Sequence, residues 1–227
     1  MFPLYDTARS HKFPLVNLTL IIANILAFLY ELQMGPHALQ DFISTWGLVP
    51  TRLVSDPTAH WTTIYSAMFL HGGWFHILSN MWVLFIFGDN VEARMGKIKY
   101  LIFYLLSGTA AGLLQTYVLP TSQVPMIGAS GAIAGVLGAY LVLFPRSRVA
   151  SLVPIFFIFT IIEIPAVIFL IFWFLSQLYS GLFSIQGGSA SGIAWWAHVG
   201  GFVFGLVMSF VFANRRPYYR TIPSPKK

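Results

Sequence analysis

Residues 127–144 read IGASGAIAGVLGAYLVLF, eighteen positions without a charge, closed by Pro145. As an α-helix the run is about 27 Å long, close to the ~30 Å hydrocarbon thickness of a bilayer. Five further apolar runs of similar length occur at about 14–32, 75–92, 99–118, 152–175 and 193–213. The whole chain of 227 residues is 57% hydrophobic and 9% charged, with a mean hydropathy of +0.74. Soluble domains carry about 25% charge, so this chain lacks the charge to clothe a water-exposed surface. Plentiful aromatic residues (17%) exclude intrinsic disorder. With no Cys there is neither a disulfide framework nor a thiolate nucleophile or metal site. The reading is an all-α integral membrane protein with six transmembrane helices, a single domain over residues 1–227. Its core covers about 14–213, between tails 1–13 and 214–227.

The connections set the orientation. Arg9 and Lys12 precede the first span; Arg94, Lys97 and Lys99 join the second and third; Arg146 and Arg148 join the fourth and fifth; Arg215, Arg216, Arg220, Lys226 and Lys227 follow the sixth. Twelve of the 13 cations therefore fall on one side, with Arg52 opposite. The positive-inside rule places both termini and both tails in the cytoplasm. The formal charge of +6 is thus spent on topology and anionic-lipid contact, and no nucleic-acid partner is expected. The first run reads as a retained signal-anchor helix, since no small-residue cleavage site follows it. A long first loop, Gln33–Trp74, contains a half-apolar segment, Ala38–Leu53, expected to lie along the bilayer surface. The Gly/Ser-rich stretch Ser180–Gly192 suits a mobile flap beside the fifth span, whose Pro154 and Pro165 mark it as the candidate gate.

Polar groups sunk in lipid point to function. His76 and Asn80 lie in the first turns of span two, Ser130 three residues into span four, and His198 about five residues into span six. All three spans start outside, so these four side chains share a level roughly 5 to 10 Å below the outer boundary. A serine hydroxyl needs a positioned base to become a nucleophile, and its tetrahedral oxyanion needs donors. Ser130 with His198 fits the first requirement; His76, Asn80 and the Ser130 backbone N–H fit the second. Gly128 and Gly131 flank the serine and let another backbone approach. No Asp or Glu stands at this level, so a two-residue Ser/His arrangement is expected. Glu163, near the middle of span five, is read as a structural carboxyl, protonated or hydrogen-bonded between helices.

Blander readings stand beside this one. Gly131, Gly135 and Gly138, with Gly201 and Gly205 after His198, are also what close packing of spans four and six requires. A lone intramembrane His serves equally as a structural partner or a haem or metal ligand. A transporter would want paired charges or broken helices at midplane, where only Glu163 lies. Packing accounts for the glycines but not for His, Asn and Ser at one depth.

Three blocks carry a resemblance: His71-Gly-Gly-Trp-Phe-His76-Ile-Leu-Ser-Asn80, Gly128-Ala-Ser130-Gly131, and Ala197-His198-Val-Gly-Gly201-Phe-Val-Phe-Gly205. In this order and on these spans they resemble the rhomboid family of intramembrane serine proteases, over essentially the whole of 14–213. The resemblance implies a six-helix rhomboid-like bundle with Ser130 as nucleophile and His198 as general base and acid. It implies His76 and Asn80 at the oxyanion hole, and His71, Gly128 and Gly131 in support. Glu92 and Arg94 match a structural polar cluster. The substrates implied are single-pass or multi-pass transmembrane proteins, cut in or beside a helix at small residues, with no metal or organic cofactor. Family members that have lost activity bind such clients without cutting them, but they usually lack the serine or the histidine. One position departs from the pattern: Ala134 stands where many members place an aromatic that supports the histidine, leaving Trp195, Trp196 or Tyr140 to substitute. Short loops and the basic tail favour a prokaryotic plasma membrane. Nothing in the sequence fixes the oligomeric state.

Overall fold

The computed structural model describes residues 2–8, 10, 12–155, 158–185 and 192–214. The basic tail 215–227, Arg9 and residues 186–191 of the expected flap lie outside the described residues. Six long helices carry the architecture: α1 (Leu15–Glu31), α6 (Trp74–Met95), α7 (Lys97–Val118), α8 (Ser130–Leu143), α9 (Ala166–Ile185) and α10 (Trp195–Phe212). The first loop holds α2 (Pro36–Trp46), α3 (Pro50–Ser55), two single turns α4 (Pro57–His60) and α5 (Thr63–Ser66), and a 3₁₀ turn at Ala67–Phe69. Pro36, Pro50 and Pro57 each open a helix, the position where a missing N–H costs nothing. By length and composition α7, α9 and α10 suffice to cross a membrane, and Pro57–Phe69 with α6 passes as a pair bent by 83°. Apolar α1 and α8 are shorter.

Burial is inverted relative to a water-soluble bundle. The buried residues of α1 are Asn17, Leu20, Asn24, Phe28 and Glu31, a stripe at helical spacing that is mostly polar, while Ile22 and Leu26 face outward. Phe75 and Phe210 are 85% and 72% exposed. Large apolar side chains turned outward around a partly polar interior are stable where the solvent is lipid. This is an integral membrane protein.

The polar cluster around Asn17 and Glu92 is satisfied locally. The Glu92 carboxylate accepts the backbone N–H of Val16 (3.2 Å) and Asn17 (2.8 Å), capping α1 from the end of α6. Asn17 donates to the Leu84 carbonyl at 3.0 Å and accepts from the Tyr100 hydroxyl at 2.7 Å, joining α1, α6 and α7. Glu92 is thus structural, as the resemblance implied. Arg94 contributes its main-chain carbonyl, which accepts from Asn214 N–H at 3.0 Å.

Helix α8 runs through the centre. Gly131 to Tyr140 are all buried. A Cβ on Gly201 would collide with the Gly131 carbonyl oxygen, one on Gly205 with that of Gly135, and one on Gly138 with that of Phe202. The helices α8 and α10 therefore touch backbone to backbone, as the small-residue pattern predicts.

Several expectations are corrected. The protein is mostly helical but not all-α: β1 (Phe2–Asp6), β2 (Arg148–Ile155) and β3 (Ile158–Pro165) form an antiparallel sheet in the order β1-β2-β3. The run 152–175 is accordingly no single span. Its first part is a hairpin rich in Val and Ile, which favour strands, and Pro165 ends it where α9 begins. A continuous apolar run does not distinguish strand from helix by periodicity. The helix then continues to Ile185, through the start of the stretch read as a flap. Residues 2–6 belong to the sheet rather than to a free tail. Trp82 donates from Nε1 to the Pro3 carbonyl at 2.7 Å and stacks on Phe2. Asp6 accepts from the Tyr140 hydroxyl and from Asn90 Nδ2 (3.0 Å). Glu163 lies on the hairpin rather than inside a helix: its carboxylate faces Arg148 at 3.5 Å, both side chains about half exposed.

Candidate active site

The chain reaches Ser130 through a strapped connection. Met126 and Leu48 exchange both backbone hydrogen bonds (2.8 and 3.0 Å), and Gly128 N–H donates to the Ala67 carbonyl at 2.8 Å. Gly128 has φ +116°, a conformation that L side chains rarely adopt. The turn it makes lets Ser130 begin α8, so the Ser130 N–H is among the first amides of the helix, which intrahelical bonding leaves free.

His198 stands one turn into α10. The Gln115 side-chain carbonyl on α7 accepts the Ala197 N–H at 3.1 Å and sets where that helix starts. The glycine contact between α8 and α10 brings the two side chains together: His198 Nε2 lies 2.8 Å from Ser130 Oγ. Both are half-buried.

On the other side of the serine, His76 accepts the Gly72 N–H on Nδ1 at 3.3 Å, which leaves the proton on Nε2. That edge of the ring faces Gly128: a Cβ built there would lie 2.6 Å from His76 Nε2 and 3.6 Å from Asn80 Nδ2. Asn80 is buried, and its Nδ2 has no hydrogen-bond partner among the described residues. Two side-chain donors therefore converge beside the residue two before Ser130. His71 supports them from behind, its ring 4.9 Å from that of His76 at 62°. Its backbone N–H is held by the Glu31 carboxylate, and its Nδ1 lies 3.3 Å from the Phe69 carbonyl. Gly131 packs against Ala111 and Ala197, where a larger residue would part the helices.

One cavity is lined by Ser130 and a second lies next to it. The smaller, ≈ 20 Å³, lies between Ser130, Gly128, Ala194 and Ala197 and has room for about one water. The larger, ≈ 160 Å³, shares Met126 and Ala194 with it and extends past Gln115, Trp195 and Trp196.

The residue facing the far side of His198 is one that the sequence reading passes over. Gln177 of α9 places Oε1 2.7 Å from His198 Nδ1. Trp173, also on α9, lies against the ring at 5.9 Å, and Trp195 meets it edge-on at 6.2 Å. Of the three aromatics named as substitutes at Ala134, Trp195 is thus beside the histidine. Tyr140 is engaged with Asp6 instead, and Trp196 packs over Gly181. Gln177 was missed because the expected fifth span ended at residue 175. With the helix at 166–185, a Gln inside an apolar helix carries the same signal that singled out His198.

Comparison with known proteins follows from these blocks. The family model described as Rhomboid domain matches residues 58–215. RHOMBOID-like protein 4 of Arabidopsis thaliana is 30% identical over 186 residues, covering 82% of this chain and 42% of that protein. Rhomboid-like protein 11, chloroplastic, of the same plant is 32% identical over 130 residues, 57% of this chain and 44% of the relative. The protein named "Putative rhomboid protease YdcA" of Bacillus subtilis (strain 168) is 29% identical over 130 residues, 57% of this chain and 62% of the relative. The chain spans less than two thirds of the length of each of these relatives.

Proposed function

The chain belongs to the rhomboid family, and we propose that it is an intramembrane serine endopeptidase that cuts transmembrane protein substrates through Ser130 and His198. The observation that carries the reading is the 2.8 Å approach of His198 Nε2 to Ser130 Oγ, with the His76 and Asn80 donors gathered beside Gly128 on the opposite side. Ser130 attacks the scissile carbonyl carbon while its proton passes to His198 Nε2. The oxyanion accepts from His76 Nε2–H, Asn80 Nδ2–H and the Ser130 N–H, donors already in place before charge develops. Collapse breaks the C–N bond, the leaving amine takes the proton from Nε2, and water then hydrolyses the acyl-enzyme by the same route reversed. The small cavity walled by Gly and Ala supports a preference for small residues at the cut, and the larger one provides room for the water.

The proposed topology has α1, α6, α7, α8, α9 and α10 as six spans of one rhomboid-like domain, both termini cytoplasmic, with the sheet on the side of Arg146 and Arg148. In it α8 is short because protein, not lipid, surrounds it. Substrates enter sideways from the bilayer past α9, which serves as the gate. The relatives' names include chloroplast and mitochondrial proteins beside a bacterial one, so the location extends to a membrane but not to the prokaryotic plasma membrane in particular.

The test is cleavage of a reporter transmembrane segment in liposomes, with a fluorophosphonate probe for the nucleophile. Ser130→Ala and His198→Ala are each expected to abolish both cleavage and labelling while the protein stays folded. Undiminished cleavage by Ser130→Ala would sink the protease reading; wild-type protein that neither cleaves nor labels would point to a client-binding relative.

A further inference from the structure

A histidine base must present a bare Nε2 to the serine, and imidazole alone does not choose which nitrogen carries the proton. In rhomboid-like arrangements without an acidic third member, something else has to make that choice. The residues around His198 supply it. Ser176 donates its hydroxyl proton to the Trp173 carbonyl at 2.6 Å, so its oxygen is left to accept from Gln177 Nε2 at 3.0 Å. That contact turns the Gln177 amide so that Oε1, an acceptor only, faces His198 Nδ1 at 2.7 Å. Nδ1 must then be the protonated nitrogen, and Nε2, 2.8 Å from Ser130 Oγ, the acceptor. The chain of donors runs in one direction, from Ser130 through His198, and a second runs from Gln177 through Ser176 to the Trp173 carbonyl. Gln177 is 7% exposed, so water does not compete for its amide.

We propose that Gln177 is the positioning residue that holds His198 in its reactive tautomer and orientation, a support supplied from α9 in a chain whose Ala134 offers no aromatic. The proposal rests on the protease reading for its consequence but not for its geometry. Because α9 carries Gln177, an outward shift of that helix by about 1 Å would stretch the 2.7 Å contact beyond hydrogen-bond range. The base is thereby tied to the helix proposed as the gate.

Two variants separate positioning from packing. Gln177→Met keeps the length and bulk of the side chain but replaces the amide oxygen with a thioether, at best a weak acceptor. Its kcat is expected to fall about ten- to a hundredfold, the size of one lost hydrogen bond to a group that becomes charged in the transition state, with KM nearly unchanged. Gln177→Glu restores an acceptor and adds a charge that favours imidazolium. The ascending limb of its pH profile should move to higher pH by about one unit or more, with cleavage recovering above that limb. Imidazole ¹⁵N spectra, with His198→Gln used for assignment, should show a single Nδ1–H tautomer in wild type and a mixture in Gln177→Met, a readout that holds even if the protein cleaves nothing. Three results would overturn the proposal: kcat within twofold of wild type in Gln177→Met, an unmoved limb in Gln177→Glu, or an unchanged tautomer in Gln177→Met. Failure of the protease reading itself would show separately, as cleavage or probe labelling that survives Ser130→Ala.

Discussion

Replacing Gly128 by Ala places one methyl group at the point where the proposed oxyanion donors meet. The backbone there has φ +116°, so any L residue pays a conformational penalty of about 1–2 kcal/mol. The new Cβ would also lie 2.6 Å from His76 Nε2 and 2.8 Å from Cε1, whereas ordinary contact begins at 3.4 Å. The ring must retreat by about 0.8 Å, and His71 packed behind it at 4.9 Å limits where it can go. A misplacement approaching 1 Å, or loss of one oxyanion donor, costs roughly 10²- to 10³-fold in kcat. Gly128→Ala is therefore expected to lose about two to three orders of magnitude in reporter cleavage while melting only a few degrees lower. Gly96→Ala is the matched control: φ is +85°, the nearest atom to its Cβ is Asn214 Nδ2 at 3.8 Å, and the site is remote. It should lose stability but not kcat. A folded Gly128→Ala protein that cleaves at the wild-type rate would refute both the placement of the donors and the role given to His76.

Three further outcomes follow from the packing and the sheet. Burial, reinforced by the nearby Asp89, pushes the Asp6 carboxyl up to about 7, although its Tyr140 and Asn90 hydrogen bonds pull the other way. A group raised in the folded state holds its proton there, so docking of β1 is strongest at low pH and weakens as pH rises from about 4 through about 7. Thiol accessibility of Tyr5→Cys, in a chain without native cysteine, should increase across that window, and Asp6→Asn should flatten the change. Gly205→Leu forces a side chain into the Gly135 carbonyl and should destabilise by about 3 kcal/mol or more, separating α10 from α8 and abolishing fluorophosphonate labelling. Glu163→Gln removes only a half-exposed ion pair with Arg148, so thermal melting should register no more than about 1 kcal/mol and cleavage should be unchanged.

Composition and local pattern alone determined the solvent of this protein and the identity of four of the groups at its candidate site. Lipid makes such inference easy: in a chain with 9% charge, every polar residue inside an apolar run stands out, and helix rise converts position into depth. The glycine spacing likewise announced the contact between α8 and α10, because close backbone approach has no other residue to use. What the sequence concealed came from one ambiguity. Residues 148–165 are apolar without a period, and both a buried helix and a hairpin satisfy that pattern, so the fifth span was set too early and Gln177 fell outside it. Choosing between them took tertiary partners: β1, contributed by residues 2–6, pairs with β2 and supplies the third strand without which a hairpin is marginal. The neighbour of His198 Nδ1 was settled in the same way. A histidine's tautomer depends on what stands beside its second nitrogen, and only the packing of α9 against α10 brings Gln177, 21 residues away in the chain, to that position.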